Sequence, residues 1–159
     1  MIVIILTIPG TGELRIQHLL IDVNGTISLD GEPLEGVAER LAQLREQVTV
    51  ELVSADSRGR LGLTAQAFGV GSHRLEADRP EAEQKAARCQ ALGAGSVAAI
   101  GNGANDAGMV QAAALGIAVL GPEGLSTRTL QAADLMVPSI LAALDLLLYP
   151  QRLSSTLES

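Results

Sequence analysis

This chain of 159 residues has no tryptophan, one phenylalanine (Phe68) and one tyrosine (Tyr149). Its core must therefore be built from Leu, Ile, Val and Ala. The aromatic platforms on which unpaired nucleotides stack are missing as well. Positive charge is scarce: 11 Lys and Arg against 18 Asp and Glu leave a formal charge of −7. A phosphate backbone attracts clustered Lys and Arg, so nucleic acid is not expected as a partner. Cys89 is the only cysteine, which excludes a disulfide framework and a Cys-based zinc site, and it reads as a small buried hydrophobe. Long apolar runs are also lacking. Residues 1–8 have no basic flank and no small-residue cleavage site, and Pro9-Gly10 interrupts them. Residues 140–149 carry Asp145 and are too short to span a bilayer. The expectation is a cytoplasmic protein with no membrane partner. Apolar residues make up 47% of the chain, and no repeat, low-complexity tract or linker breaks it. A single domain over residues 1–159 follows, with a hairpin at 1–17 and a polar tail at 151–159.

What the chain does have is organised around His18-Leu19-Leu20-Ile21-Asp22-Val23-Asn24-Gly25-Thr26. An apolar run without alternation suits a strand buried on both faces of a parallel sheet, and ligands bind at the C-terminal ends of such strands. Asp22 stands at that end as a candidate nucleophile. On this segment alone, a simple Asn-Gly turn explains the residues equally well. Upstream, residues 2–8 and 13–17 flank Pro9-Gly10-Thr11-Gly12 as a β-hairpin, whose apolar opening strand needs cover or a pairing partner. Downstream, a short turn at Asp30-Gly31 leads to Leu34, Val37, Leu41 and Leu44 at helical spacing. Further strands are predicted at 48–53, 73–75, 97–100, 117–120 and 135–137. Helices are predicted at 60–68, 81–92, 107–114, 125–133 and 139–149. Pro150 is expected to end the last helix, and Leu153 to Ser159 to fray. This alternation is that of an α/β fold with a central parallel sheet and helices on both faces.

The predicted strand ends carry Asp22, Asn24 and Thr26, then Ser54 and Asp56, then Asn102, Asn105 and Asp106, and a helix carries Lys85. Carboxylates, a hydroxyl and an ammonium around a glycine-rich loop suit metal-assisted phosphoryl transfer. In order and spacing these residues resemble the haloacid dehalogenase superfamily of phosphotransferases. Asp22-Val23-Asn24-Gly25-Thr26 matches its first motif, Ser54 its second and Lys85 its third. Gly101-Asn102-Gly103-Ala104-Asn105-Asp106 matches its fourth. The surrounding text is most similar to small soluble relatives of the phosphorylation domain of P-type ATPases. The resemblance implies a three-layer Rossmann-like fold without a cap domain. It implies an aspartyl-phosphate on Asp22, with Asn24 and Lys85 as the other catalytic positions. Ser54, Ala55, Lys85 and Asn105 would bind phosphate, and Asp22, the Asn24 carbonyl, Asn102 and Asp106 would bind Mg2+. The substrate would be a phosphorylated small molecule or a phosphoprotein. With no cap over the site and an apolar N-terminal hairpin, a homo-oligomer is compatible with the sequence.

Two positions depart from the pattern. Asn24 stands where phosphatases of the superfamily have an acid that protonates the leaving group, and an amide cannot exchange a proton at neutral pH. Asn102 stands where an Asp ligates the metal, and its amide oxygen brings no charge. Slow hydrolysis is the expectation, with a non-catalytic regulatory or assembly module as the rival reading. Asp56 reads as a helix cap. His18 and His73 have no partner at ligand spacing and read as structural. Gly101-x-Gly103 lacks the third glycine of a dinucleotide site.

Overall fold

Leu19, Leu20 and Ile21 have no solvent exposure at all, as the middle strand of a parallel sheet requires. In the computed structural model, which describes residues 2–159, the chain runs β1 (Ile4–Ile8), β2 (Gly12–Ile16), β3 (His18–Asp22), β4 (Ser28–Leu29), β5 (Glu32–Pro33), α1 (Val37–Leu44), β6 (Thr49–Ser54), α2 (Leu61–Phe68), β7 (Gly71–Arg74), α3 (Glu81–Ala91), β8 (Val97–Gly101), α4 (Ala107–Ala112), β9 (Leu115–Val119), α5 (Thr127–Ala132), β10 (Leu135–Val137), α6 (Ile140–Leu148) and α7 (Pro150–Leu157). Six strands form one parallel sheet in the order β10-β9-β8-β3-β6-β7.

Side chains alternate across a strand, so β3 feeds two layers. Leu19 and Ile21 join the larger core with α1, α2, α6 and α7, whereas Leu20 joins Cys89 of α3 and Met109 and Val110 of α4 on the other face. The chain leaves β3 toward the α1 face and leaves β8 toward the α4 face. Their adjacent C-terminal ends therefore flank a switch point, the place where open α/β sheets form a crevice. Register brings the motifs level: Ile21 pairs with Ile100, and Asp22 with Val53 beside Ser54. The connection from β3 to β6 carries only α1 and the β4–β5 hairpin. That hairpin turns at Asp30 (φ 53°) and Gly31 (φ 87°), a pair suited to a two-residue turn with both residues left-handed. Among the described residues no helix is long and apolar enough to cross a membrane.

Most predicted elements are found close to their expected ends, with three differences. β9 begins at Leu115, two residues early, because Leu115 pairs with Ala98 and Gly116 with Ala99. β7 is displaced toward the N-terminus, spanning Gly71–Arg74. Residues 153–157, part of the tail expected to fray, belong to α7 (Pro150–Leu157): Pro150 starts this helix at a position where its missing N–H costs nothing, and Leu153 is fully buried. α7 packs against β1, so the inner face of the opening strand (Ile4, Leu6, Ile8) is buried within the chain itself.

Candidate active site

β3 delivers Asp22 to the crevice with 6% of its surface exposed. Immediately after it the backbone folds into a tight turn in which the amides of Thr26, Ile27 and Ser28 all donate to the Val23 carbonyl. Gly25 makes the turn possible at φ 78°, a conformation that a side chain would strain. The turn brings the Thr26 hydroxyl back to Asp22. Its Oγ1 lies 2.9 Å from Asp22 Oδ2 and 3.0 Å from Asn102 Oδ1, so one proton is shared between a carboxylate and an amide oxygen. The Asn102 amide is oriented by its Nδ2, which donates to the Gly124 carbonyl at 3.3 Å.

Lys85 comes from α3, whose buried face is Gln84, Lys85 and Cys89. Gln84 fixes the start of that helix by accepting from the Glu76 amide and donating to the Glu76 and Arg79 carbonyls. The Lys85 ammonium is 2% exposed and donates to Asp22 Oδ1 at 2.8 Å, Asp106 Oδ1 at 2.8 Å and Asn105 Oδ1 at 3.3 Å. Burial by itself would lower its pKa. The facing carboxylates of Asp22 and Asp106 outweigh burial and hold it above the ordinary lysine value. Burial, with the Asp106 charge behind it, pushes the Asp22 carboxyl up from 3.8 to about 6, against the pull of Lys85 and Thr26.

Asp106 is wholly buried. Its Oδ2 accepts from the amides of Asn102 and Gly103, and its Oδ1 accepts from Lys85. Asp106 was expected at the metal. Here both its oxygens are taken by protein donors, and it holds Lys85 and the loop in place. Gly101 is required for this packing, because a Cβ there would lie 2.5 Å from the Asp106 carboxyl. Thr129 of α5 fastens the same loop by donating to the Gly103 carbonyl.

Ser54 ends β6, and its Oγ accepts from the Asp56 amide at 2.8 Å, which leaves its proton free for another acceptor. Asp56, expected as the N-cap of α2, instead serves the helix start from outside it: Arg60 takes the N-cap position, and Asp56 Oδ1 accepts from the amides of Arg60 and Leu61. It does so from a left-handed backbone at φ 59°, five residues before the helix begins.

Asp22, Asn24, Ser54, Ala55, Lys85, Asn102 and Asn105 line one cavity of about 220 Å³. Asp106 lies behind it. The cavity also takes in Ser57, Glu81 and Glu123, which were not foreseen. Glu81 accepts from Asn105 Nδ2 at 2.6 Å. Glu123 occupies the turn after β9, where no motif spacing marks it. Cys89 is buried, and burial pushes its thiol up.

Three carboxylates and one ammonium line this cavity. A phosphoryl dianion would meet net repulsion there unless a cation came with it. The donors are oxygens throughout, with no His or Cys, which is the chemistry that Mg2+ prefers. Among the described residues no three His, Cys, Asp or Glu side chains form a ready metal cage, so any cation must also use neutral oxygens such as those of Asn24 and Asn102.

The sequence profile of the haloacid dehalogenase-like hydrolases matches residues 6–114. An uncharacterized protein of Methanocaldococcus jannaschii is 47% identical over 60 residues, which is 38% of this chain and 64% of that protein. The match thus spans less than two thirds of that relative. Among solved structures, the fold is similar to 3-deoxy-D-manno-octulosonate 8-phosphate phosphatase from Moraxella catarrhalis in complex with magnesium, phosphate and its sugar acid. The TM-score is 0.64 at 19% identity, over 88% of this chain and 90% of that one. A cobalt-bound deoxy-D-mannose-octulosonate 8-phosphate phosphatase from Haemophilus influenzae gives 0.65 at 16% identity, over 91% and 94%. A phospho-aspartyl intermediate analogue of phosphoserine phosphatase gives 0.62 at 16% identity, over 84% and 98%.

Proposed function

The chain belongs to the haloacid dehalogenase-like hydrolase family, and from that premise we propose that it is a Mg2+-dependent phosphatase working slowly through an aspartyl-phosphate on Asp22. The observation that carries this reading is the placement of Asp22: buried at the switch point, held by Lys85 and Thr26, and open to the shared cavity.

In the first half-reaction an Asp22 carboxylate oxygen forms a bond to phosphorus while the bond from phosphorus to the leaving oxygen breaks. The leaving group departs with that electron pair and takes its proton from solvent. In the second, water attacks phosphorus, the Asp22–phosphoryl bond breaks, and inorganic phosphate is released. Lys85, the Ser54 hydroxyl, Ala55 and Asn105 hold the phosphoryl oxygens and offset the charge that spreads over them. Asp22, the Asn24 main-chain carbonyl and Asn102 would hold Mg2+, which when bound neutralises charge on the transferred group. Asp106 contributes from behind, by fixing Lys85 and the Asn102 loop. Asn24 supplies no acid for the leaving group and no base for the water. General acid–base help is typically worth about 10²–10⁴-fold, so both steps are slowed by its loss. The substrate class is a phosphorylated small molecule or a phosphoprotein.

The test is turnover of p-nitrophenyl phosphate with Mg2+ by the wild type and Asp22→Asn. The reading expects turnover that Asp22→Asn abolishes, and equal rates contradict it. Asn24 and Asn102 favour a second reading, a non-catalytic regulatory or assembly module that keeps the phosphate and metal positions. A beryllofluoride titration with Mg2+ separates the two: an adduct on Asp22 supports the enzyme, and none at millimolar metal supports the module.

A further inference from the structure

Glu123 is a carboxylate for which the mechanism has no use. It stands in the turn Gly121-Pro122-Glu123-Gly124 that follows β9, and among the described residues no hydrogen bond or ion pair engages it. An exposed glutamate normally extends into solvent, where its charge is hydrated. This one folds back over the first motif. A Cβ placed on Gly25 would lie 2.9 Å from the Glu123 carboxyl carbon, 3.0 Å from its Oε1 and 3.0 Å from Asn102 Nδ2. The carboxylate therefore rests on the bare backbone between Asn24 and Thr26, beside the Asn102 amide.

Its turn is clamped to both loops of the site. A Cβ on Gly121 would lie 2.5 Å from the Gly25 carbonyl oxygen, so these two backbones touch. The Gly124 carbonyl accepts from Asn102 Nδ2, and the Ser126 amide donates to the Asn102 carbonyl at 2.8 Å. The backbone on either side of Glu123 is thus tied to the segments that carry Asp22 and Asn102. An unpaired negative charge placed in a cavity that already holds Asp22 and Glu81 is repulsive, and a cation between them removes that repulsion.

We propose that Glu123 is a ligand of the divalent cation and supplies the negative charge that Asn102 withholds. Mg2+ is usually held by one or two carboxylates. With Asn102 neutral and the Asp22 charge shared with Lys85, Glu123 restores the second, moved from the end of β8 to the end of β9. This rests on the reading of the cavity as a cation-dependent phosphoryl-transfer site.

The experiment measures Mn2+ binding, by the loss of the free-ion electron paramagnetic resonance signal and by calorimetry. It uses the wild type, Glu123→Gln, Asn102→Asp and the double variant. The expected result is that Glu123→Gln weakens Mn2+ by about tenfold or more, with a melting temperature in metal-free buffer no lower than that of the wild type, and that adding Asn102→Asp restores binding. Equal Mn2+ affinity for the wild type and Glu123→Gln overturns the proposal while leaving the cation reading intact. Absence of binding by the wild type and Asn102→Asp alike overturns both.

Discussion

At the scale of single residues, the site is a charge cluster in which one ammonium faces two buried carboxylates. Removing the ammonium leaves both carboxylates uncompensated, and breaking a buried pair in this way typically costs about 3–5 kcal/mol. Lys85→Met is therefore expected to lose that much stability in urea melts, far more than an exposed Lys or Arg replaced on the surface. Asp22 carries the opposite sign. Its folded pKa of about 6 lies above the unfolded 3.8, so between these values the folded chain keeps a proton that the unfolded chain has lost. Stability from this group is present below pH 3.8 and is lost as pH rises toward 6. The loss is on the order of 3 kcal/mol at pH 7. In metal-free buffer Asp22→Asn is expected to be more stable than the wild type at pH 7, with the advantage gone near pH 4; denaturation midpoints at the two pH values check this. Asn24→Asp restores an acid at the leaving group, and steady-state turnover should rise by about 10²-fold or more. Asp22, Ser54, Lys85 and Asn102 were legible in the sequence because each sits at a strand end or on an otherwise apolar helical stripe, at family spacing. Glu123 was not. A lone acid in a turn has no spacing to reveal it, and its place over Gly25 depends on two loops from different strands meeting.

At the scale of elements, local pattern and tertiary docking contribute unequally. Strands β3, β6 and β8 and helices α1 and α3 announce themselves through apolar runs or helical spacing. α7 does not, because eight residues with few apolar positions cannot hold a helix alone in water. It forms because Leu153 enters the core beneath β1 and Leu157, four residues on, packs half-buried against it. Leu153→Ala is accordingly expected to destabilise the whole chain by about 2–5 kcal/mol, read as a shift in the urea midpoint with unchanged slope. A frayed tail would give no shift. β9 was likewise misjudged at its start because Gly116 weakens a strand signal that only the pairing with β8 overrides.

At the scale of the whole molecule, the topology decides where chemistry sits. The outward march from β3 to β7, the return to β8, and the change of face between β3 and β8 put Asp22, Ser54 and the Asn102 loop on one edge of the sheet, with α3 bringing Lys85 to meet them. Only the β4–β5 hairpin and α1 separate β3 from β6, so the connection that follows Asp22 contributes no cap domain over the cavity, which agrees with the short spacing between the motifs. The most direct test of the account is acid-quenched mass spectrometry of the chain after incubation with Mg2+ and acetyl phosphate. The account predicts one phosphoryl group on the peptide containing Asp22, absent from Asp22→Asn and shorter-lived in Asn24→Asp. A wild-type chain that never carries the phosphoryl group, or an Asp22→Asn chain that carries it equally, would contradict it.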